Sequence, residues 1–472
     1  MTLSLGPDLP EIRSAAVFGL ARSGRAAVTA LLERGVEVVA TDAKPDLTGL
    51  ADRPGLRYVL GGHPESLLDG VDLVVVSPGI PLTLSIFDAA RARALPVVAE
   101  IELASRLMPG VVVGVTGTNG KSTTTALAAA LLKGAGHYAI ACGNFGTPWI
   151  HFATREGANG GGTVPRTWVV ELSSFQLEGI RRFAPDVAVH LNLTPDHLDR
   201  YRSIDDYGAA KARIFENQRD AQVAVLNADD PLVARIRPRA RRLVFSRRGA
   251  PVLESGGMGA WLADDLFVAD VTGKGPRVIA KRSDLALPGM HNVENALAAL
   301  AATLPLGVTP ESAVETLRTF RGLPHRTALV RTVNGVGYWN DSKGTNVDAT
   351  LKSLEGFPDG KVHLILGGKD KGDDFARLGP LASRKARRIL AIGKAAPVIA
   401  KALGGLPGVA LEVTGTLEKA LEDAVRHAVP GDAVLLSPAC ASFDQFRDFE
   451  HRGEVFESLV KALPESLVAG RR

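Results

Sequence analysis

The stretch "GVTGTNGKSTTTALAAALL", Gly114–Leu132, decides how this chain is read. The apolar run "GVVV" leads into it as a buried strand, a glycine-bracketed turn follows, and an Ala/Leu-rich helical segment closes it. Backbone N–H groups in such a turn point at phosphate oxygens, Lys121 supplies a point charge, and the hydroxyl of Ser122 can ligate Mg2+. The strict phosphate-loop pattern places a glycine six residues before the lysine, where this chain has Val115. The match is therefore to "GTNGKST": Gly117, Thr118, Asn119, Gly120, Lys121, Ser122 and Thr123. A strand before it and a helix after it are the context that makes the motif meaningful. The fold class expected is α/β, with this loop on a parallel sheet.

More than a hundred residues precede the loop, and they read as a second nucleotide-binding unit. "SAAVFGLARSGRAAVTALLERG", Ser14–Gly35, is a strand, a glycine turn and a helix, and the strand "VEVVATD" then ends at Asp42. An acid about 20 residues past the turn is where dinucleotide folds meet a ribose hydroxyl. The glycine pattern Gly19-x-Ala21-x-x-Gly24 lacks its middle glycine, so another diphosphate ligand is at least as well matched as NAD. "VDLVVVSPGIP", Val71–Pro81, adds a buried strand with a turn at its carboxyl end.

Beyond the loop, "TWVVELSSFQLE" carries a strand ending in Glu171, where phosphate-loop folds keep an acid for the metal. "PDVAVHLNLTPDHLDRY" is a strand running into Asp196-His197-x-Asp199, on what should be the same sheet edge, which makes His197 a candidate metal or substrate ligand. Lys211, in "DDYGAAKARIFENQ", reads by itself as a solvent-facing helix lysine. After "FRGLPHRTALV", three apolar strands in "GVGYWNDSKGTNVDAT", "KVHLILGGKDKGDDF" and "GDAVLLSPACASFDQFRDFEHRG" deliver polar residues at their ends and make one plausible crevice. Three domains are expected: an N-terminal Rossmann-like unit over 1–99, a central P-loop ATPase-like parallel sheet over 100–322, and a C-terminal Rossmann-like α/β unit over 323–472.

Composition agrees with an ordinary soluble enzyme: of 472 residues, 22% are charged, 46% hydrophobic and 5% aromatic. The net charge of +4 owes much to Arg235–Arg248, read as a solvated loop or edge strand because no aromatic interleaving or nucleic-acid motif accompanies it. Cys142 and Cys440 cannot form a disulfide framework and show no zinc spacing, which indicates a reducing compartment. The start "MTLSLGPDLPEIRS" has no signal-peptide pattern, and no apolar stretch is long enough to span a bilayer. A cytoplasmic protein is expected, without nucleic-acid partners. Oligomeric state is not readable, and a monomer is the expectation.

These motifs, with "HNVENALAAL", "GLPHR", "NDSKGTN" and "LLSPACASFDQF", resemble those of the Mur ligases, ATP-dependent enzymes of peptidoglycan precursor synthesis, from about Val17 to Gly453. "ELSSFQLE" and "SPACASFDQF" point to the glutamate-adding member. The resemblance implies an amide ligase adding glutamate, D-Glu in that member, to UDP-MurNAc-L-Ala through an acyl phosphate. The alternatives are another Mur-type or folylpolyglutamate-type ligase, or an L-Glu-adding variant. The resemblance implies ATP and two Mg2+ ions, with Ser122, Glu171, His197 and a carbamylated Lys211 as ligands, and Lys121, His197 and Lys211 central to catalysis. It places Asn292, Asn295, Arg326 and Asp341 beside ATP. Arg22, Ser23, Asp42, Ala43, Lys44 and Gly79 would hold the UDP moiety, and Asn144 and Ser173 the muramoyl-alanine. Lys343, Thr345, Lys371, Ser442, Phe443 and Phe449 would meet glutamate.

Overall fold

Short Val-, Ile- and Ala-rich runs bounded by glycine turns build three sheets in the computed structural model, which describes residues 2–158, 166–197, 200–250, 258–323, 325–370 and 372–464. The first sheet comprises β1 (Ser14–Phe18), β2 (Glu37–Asp42), β3 (Leu56–Leu60), β4 (Leu73–Val76) and β5 (Val97–Ala99). All its pairings are parallel, in the order β3-β2-β1-β4-β5. The strand order reverses between β1 and β4, and a crevice for a ligand opens beyond strand carboxyl ends at such a reversal. The helix Arg22–Leu32 returns the chain across this sheet on Ala27, Val28, Ala30 and Leu31, all buried.

The second sheet has nine strands: β6 (Val111–Thr116), β7 (Tyr138–Gly143), β8 (Arg166–Glu171), β9 (Val187–His190), β10 (Val223–Asn227), β11 (Arg241–Ser246), β12 (Gly259–Ala263), β13 (Leu266–Asp270) and β14 (Arg277–Lys281). Their order is β14-β13-β12-β11-β10-β9-β6-β8-β7. Pairing is parallel from β7 to β12 and antiparallel through β13 and β14. The strand feeding the phosphate loop is thus an inner strand, between β9 and β8. Its register sets Val115 opposite Glu171 of β8 and Thr116 opposite His190 of β9, so both polar strand ends arrive beside the loop. The arginine-rich segment departs from expectation, because β11 is an inner strand. Its Leu243, Val244 and Phe245 are buried, and the arginines stand mostly before and after them.

The third sheet contains β15 (Ala328–Val333), β16 (Val336–Asn340), β17 (Val362–Gly367), β18 (Ala386–Ile392), β19 (Ala410–Gly415) and β20 (Ala433–Leu436), ordered β15-β16-β20-β17-β18-β19. A β15–β16 hairpin closes one edge, and the other pairings are parallel. The three polar-ended segments expected to share a crevice follow β16, β20 and β17, which are immediate neighbours.

Contacts gather the chain into two compact units, residues 1–286 with 294–320, and residues 287–293 with 321–472. The first two sheets share a unit because one buried apolar cluster runs through both, from Val17, Val38 and Leu73 to Val170, Leu226 and Val244. Each fully enclosed Val or Leu of such a cluster contributes about 1.5–3 kcal/mol. Arg106 adds a polar tie, bridging Asp8 of the N-terminal segment and the buried Glu102. Among the described residues, no helix is long and apolar enough to cross a membrane.

Candidate functional site

Two glycines shape the loop after β6. Gly117 (φ +148°) and Gly120 (φ +83°) take backbone conformations that side chains disfavour, and a Cβ on Gly120 would stand 2.3 Å from Asn295 Oδ1. The loop is clamped to the segment after β9: Thr118 N donates to Asn192 O (3.0 Å), Asn119 N to Asn192 Oδ1 (2.8 Å), and Thr194 N to Thr118 Oγ1 (3.0 Å). The helix Lys121–Gly134 then starts with its N–H groups directed at the loop, a ready anion site.

At that helix start Ser122, buried with Thr123, donates its hydroxyl to Glu171 Oε2, while Glu171 Oε1 accepts from Asn144 Nδ2 (2.9 Å). A hydroxyl and a carboxylate side by side are hard oxygen ligands. They fit Mg2+, which takes one or two protein ligands together with phosphate and water. Asn144 is also anchored through its backbone N–H to Glu171 O (2.9 Å).

Two lysine amines converge on one carbonyl. Lys121 Nζ donates to Gly117 O (2.8 Å) and Thr118 O (2.7 Å), and Lys211 Nζ donates to Gly117 O (2.9 Å). Lys211 is 1% exposed, against the solvent-facing reading of its helix, and lies 4.4 Å from the centre of the Tyr207 ring. Burial, with the Lys121 charge nearby, holds its amine well below the ordinary lysine range, and Asp196 and Glu171 oppose this. A neutral amine is the form that reacts with CO2, and the resulting carbamate would be an anion able to bind metal. His197 has φ +55°, uncommon for a side-chain-bearing residue, and its ring meets Phe175 edge-on with 4.9 Å between centroids. Its Nε2 lies 3.8 Å from Asp196 Oδ2. Asp199 lies outside the described residues. Among them, no cluster of three or more His, Cys, Asp and Glu forms a metal cage. The Ser122–Glu171 pair, and the His197 and Lys211 set if Lys211 is carbamylated, are the groups that fit a metal.

Ser173 caps the short helix Ser174–Leu177, its hydroxyl donating to Gln176 Oε1 (3.0 Å). Gln176 Nε2 donates in turn to Glu100 Oε1 (2.8 Å). Glu100 is 2% exposed, and burial pushes its carboxyl up to about 7. In the first sheet, Arg22 and Ser23 follow β1, Asp42, Ala43 and Lys44 end or follow β2, and Gly79 follows β4, all at adjacent carboxyl ends. Asp42 is engaged by backbone, accepting from Leu20 N (2.8 Å) and Lys44 N (3.0 Å), so its carboxylate braces the glycine turn.

Asn295 accepts from Thr124 Oγ1 (3.3 Å) within the first unit. Asn292 belongs to the second unit, where its Nδ2 donates to Pro288 O (2.7 Å). In the same unit Asp341 is buried, with its carboxyl raised by that burial against the Ser353 and Ser437 hydroxyls (2.6 and 2.7 Å) and the charge of Arg326. Lys343 Nζ stands 3.6 Å from the centre of the Phe449 ring. Thr345 N bonds to Lys343 O (2.8 Å), Ser442 is buried, and Phe443 is 67% exposed. Lys371 lies outside the described residues.

Sequence reading missed three groups. Asn192 clamps the loop, His190 is a fully enclosed imidazole lowered to about 3 by burial and by Lys211 and Lys121, and Arg452 is a fully enclosed arginine. The first could have been found as the polar residue just past a strand beside the loop. The other two carry no local signal, since only tertiary packing buries them.

A phosphate loop on an inner strand of a nine-stranded sheet, with a smaller α/β sheet before it and another after it in the sequence, defines a nucleotide-binding α/β enzyme architecture, and comparison with known proteins specifies it. The Mur ligase MurD-like N-terminal domain matches residues 13–99, the Mur ligase middle domain residues 115–303, and the Mur ligase glutamate ligase domain residues 325–440. This chain belongs to the Mur ligase family. It is 43% identical to the UDP-N-acetylmuramoylalanine–D-glutamate ligase of Koribacter versatilis and 44% to that of Geobacter metallireducens, each alignment covering 95% of this chain and 97% of the relative. The pseudomurein peptide ligase type C of Methanothermus fervidus shares the fold, with a TM-score of 0.59 at 18% identity over 95% of this chain and 99% of its own.

Proposed function

We propose that this ligase joins D-glutamate to UDP-MurNAc-L-alanine, using ATP through an acyl phosphate. The observation that carries the phosphoryl-transfer site is the convergence of Lys121 and Lys211 on the Gly117 carbonyl, beside the paired Ser122 and Glu171. The reading places UDP at the carboxyl ends of β1, β2 and β4, within residues 1–99. It places ATP on the loop of residues 100–322 with Asn292, Asn295, Arg326 and Asp341. Glutamate is assigned to residues 323–472, at Lys343, Thr345, Lys371, Ser442, Phe443 and Phe449. ATP and the UDP-sugar are cytoplasmic metabolites, so the protein works in the cytoplasm.

Two anions must meet, because the alanyl carboxylate attacks the γ-phosphate. Lys121 and the N–H groups of the loop offset that repulsion and the charge that builds in the transition state. Ser122 and Glu171, and His197 with a carbamylated Lys211, would be the residues to hold Mg2+, which when bound would supply electrostatic stabilisation of phosphoryl oxygens. Asn144, fixed by Glu171, and Ser173, fixed by Gln176, orient the muramoyl-alanine. The carboxylate oxygen bonds to phosphorus as the bond to ADP breaks. The neutral amine of glutamate then attacks the acyl carbon, the bond from that carbon to the phosphoryl oxygen breaks, and the proton lost by the amine is balanced on the departing phosphate.

Oxygen tracing tests this. Substrate labelled with 18O in the alanyl carboxylate should give phosphate carrying one labelled oxygen, and unlabelled phosphate during amide formation would overturn the acyl-phosphate route.

A further inference from the structure

Arg452 sits in the helix Phe449–Lys461 of the second unit and is 0% exposed. A guanidinium so enclosed is ordinarily paired with a carboxylate. Here its hydrogen bonds run only to neutral oxygens: Nε to Ser342 Oγ (2.9 Å), Nη2 to Ser342 O (2.8 Å), and Nη1 to Cys440 O (3.1 Å) and Gly367 O (3.5 Å). No carboxylate among the described residues is within ion-pair distance, although Asp444 and Asp341 lie near enough to favour its charge.

The acceptors are the significant feature. Ser342 follows β16 and precedes Lys343, Gly367 ends β17, and Cys440 follows β20 two residues before Ser442. Ser342 Oγ, which receives Nε, itself donates to Phe449 O (2.8 Å), and the Phe449 ring lies under the Lys343 ammonium. One side chain therefore ties together three neighbouring strand ends and the start of a helix, and three glutamate candidates are attached to those ties. Neutral side chains could tie strand ends at lower desolvation cost. A buried cation held by carbonyls does something more, leaving positive potential at those ends in a low-dielectric setting.

We propose that Arg452 is a positioning residue for the amino-acid substrate: it holds Lys343, Ser442 and Phe449 in register and biases their pocket toward an acidic side chain. This rests on the assignment of glutamate to that pocket. Glutamate carries two carboxylates and one amine, so its net negative charge is what such a potential selects.

The test compares the wild-type ligase with Arg452→Met, Arg452→Lys and Ser342→Ala, measuring KM for D-Glu, ATP and the UDP-sugar, and inhibition by D-Gln, the neutral isostere. In Arg452→Met we expect the KM for D-Glu to rise roughly 10- to 100-fold, and the preference for D-Glu over D-Gln to fall about tenfold, with the KM for the UDP-sugar held within about twofold. Arg452→Lys keeps the charge and should retain the D-Glu preference while raising the KM for D-Glu. Ser342→Ala should raise that KM by a smaller factor, and these two variants decide the matter if Arg452→Met fails to fold. Unchanged KM for D-Glu, equal rises for all substrates, or an unaltered D-Glu to D-Gln ratio in active variants overturns the inference alone. Absence of D-Glu-dependent turnover in the wild type rejects the functional reading and the inference with it.

Discussion

At the scale of single residues the site is defined by charges placed where water would ordinarily leave them alone. Lys121→Ala should lower ATP-dependent turnover by roughly 100- to 1000-fold with an unchanged melting temperature, because the side chain serves the loop and no apolar core. Turnover within a few-fold of wild type would reject the phosphate-loop role. Lys211→Ala should be nearly inactive, with part of the rate restored by formate or acetate occupying the place of the carbamate. Full activity without rescue would mean that the buried amine has only a structural part. Glu100 gives a prediction in pH. Its carboxyl moves from the usual 4.5 to about 7 through burial, so the folded protein binds the extra proton. The associated stability is fully present below about pH 4.5 and is lost as pH rises through about 7. Glu100→Gln keeps the acceptor for Gln176 and removes the buried charge. It should stabilise the protein at pH 8 by about 2–3 kcal/mol and have little effect at pH 4.5. Denaturant unfolding at the two pH values checks this, and an equal effect at both would contradict it.

At the scale of elements, the turn between β6 and the helix Lys121–Gly134 depends on Gly120, which combines φ +83° with the near approach of Asn295. Gly120→Ala should cost about 1–2 kcal/mol in backbone strain, displace Asn295, and weaken ATP binding in calorimetry by about tenfold or more. Unaltered ATP affinity would show that the loop tolerates a side chain there. Elements of this kind were legible in the sequence because their signals are local: an apolar run, a glycine turn, then a helical Ala/Leu pattern. β8 ending on Glu171 and β9 leading to His197 were legible for the same reason. The position of Arg241–Ser246 as an inner strand was not, because the flanking arginines mask a short apolar run whose neighbours, β10 and β12, are set by long-range pairing. Lys211 and Arg452 show the same limit for side chains. Each occupies a helix position that local pattern assigns to solvent, and each is enclosed by segments distant in sequence.

At the scale of the whole molecule, most candidate residues follow strands of the first sheet, the phosphate-loop strand and its neighbours, or strands of the third sheet, while Lys211, Asn292, Asn295 and Phe449 are carried by helices. The proposed reading, with one nucleotide site for a sugar-nucleotide substrate and another for ATP, would explain why a strand, glycine turn and helix occurs twice, at Ser14–Leu32 and at Val111–Gly134. The claim most open to test is that all three substrates are required together and that the amino acid is acidic. Phosphate release should be followed with ATP and UDP-MurNAc-L-Ala while D-Glu, L-Glu, meso-diaminopimelate and L-Lys are offered in turn, with the product confirmed by mass. The account predicts release coupled to amide formation with D-Glu and background rates with the other three. Coupled release with L-Glu, diaminopimelate or L-Lys, or ATP hydrolysis indifferent to the amino acid, would contradict it.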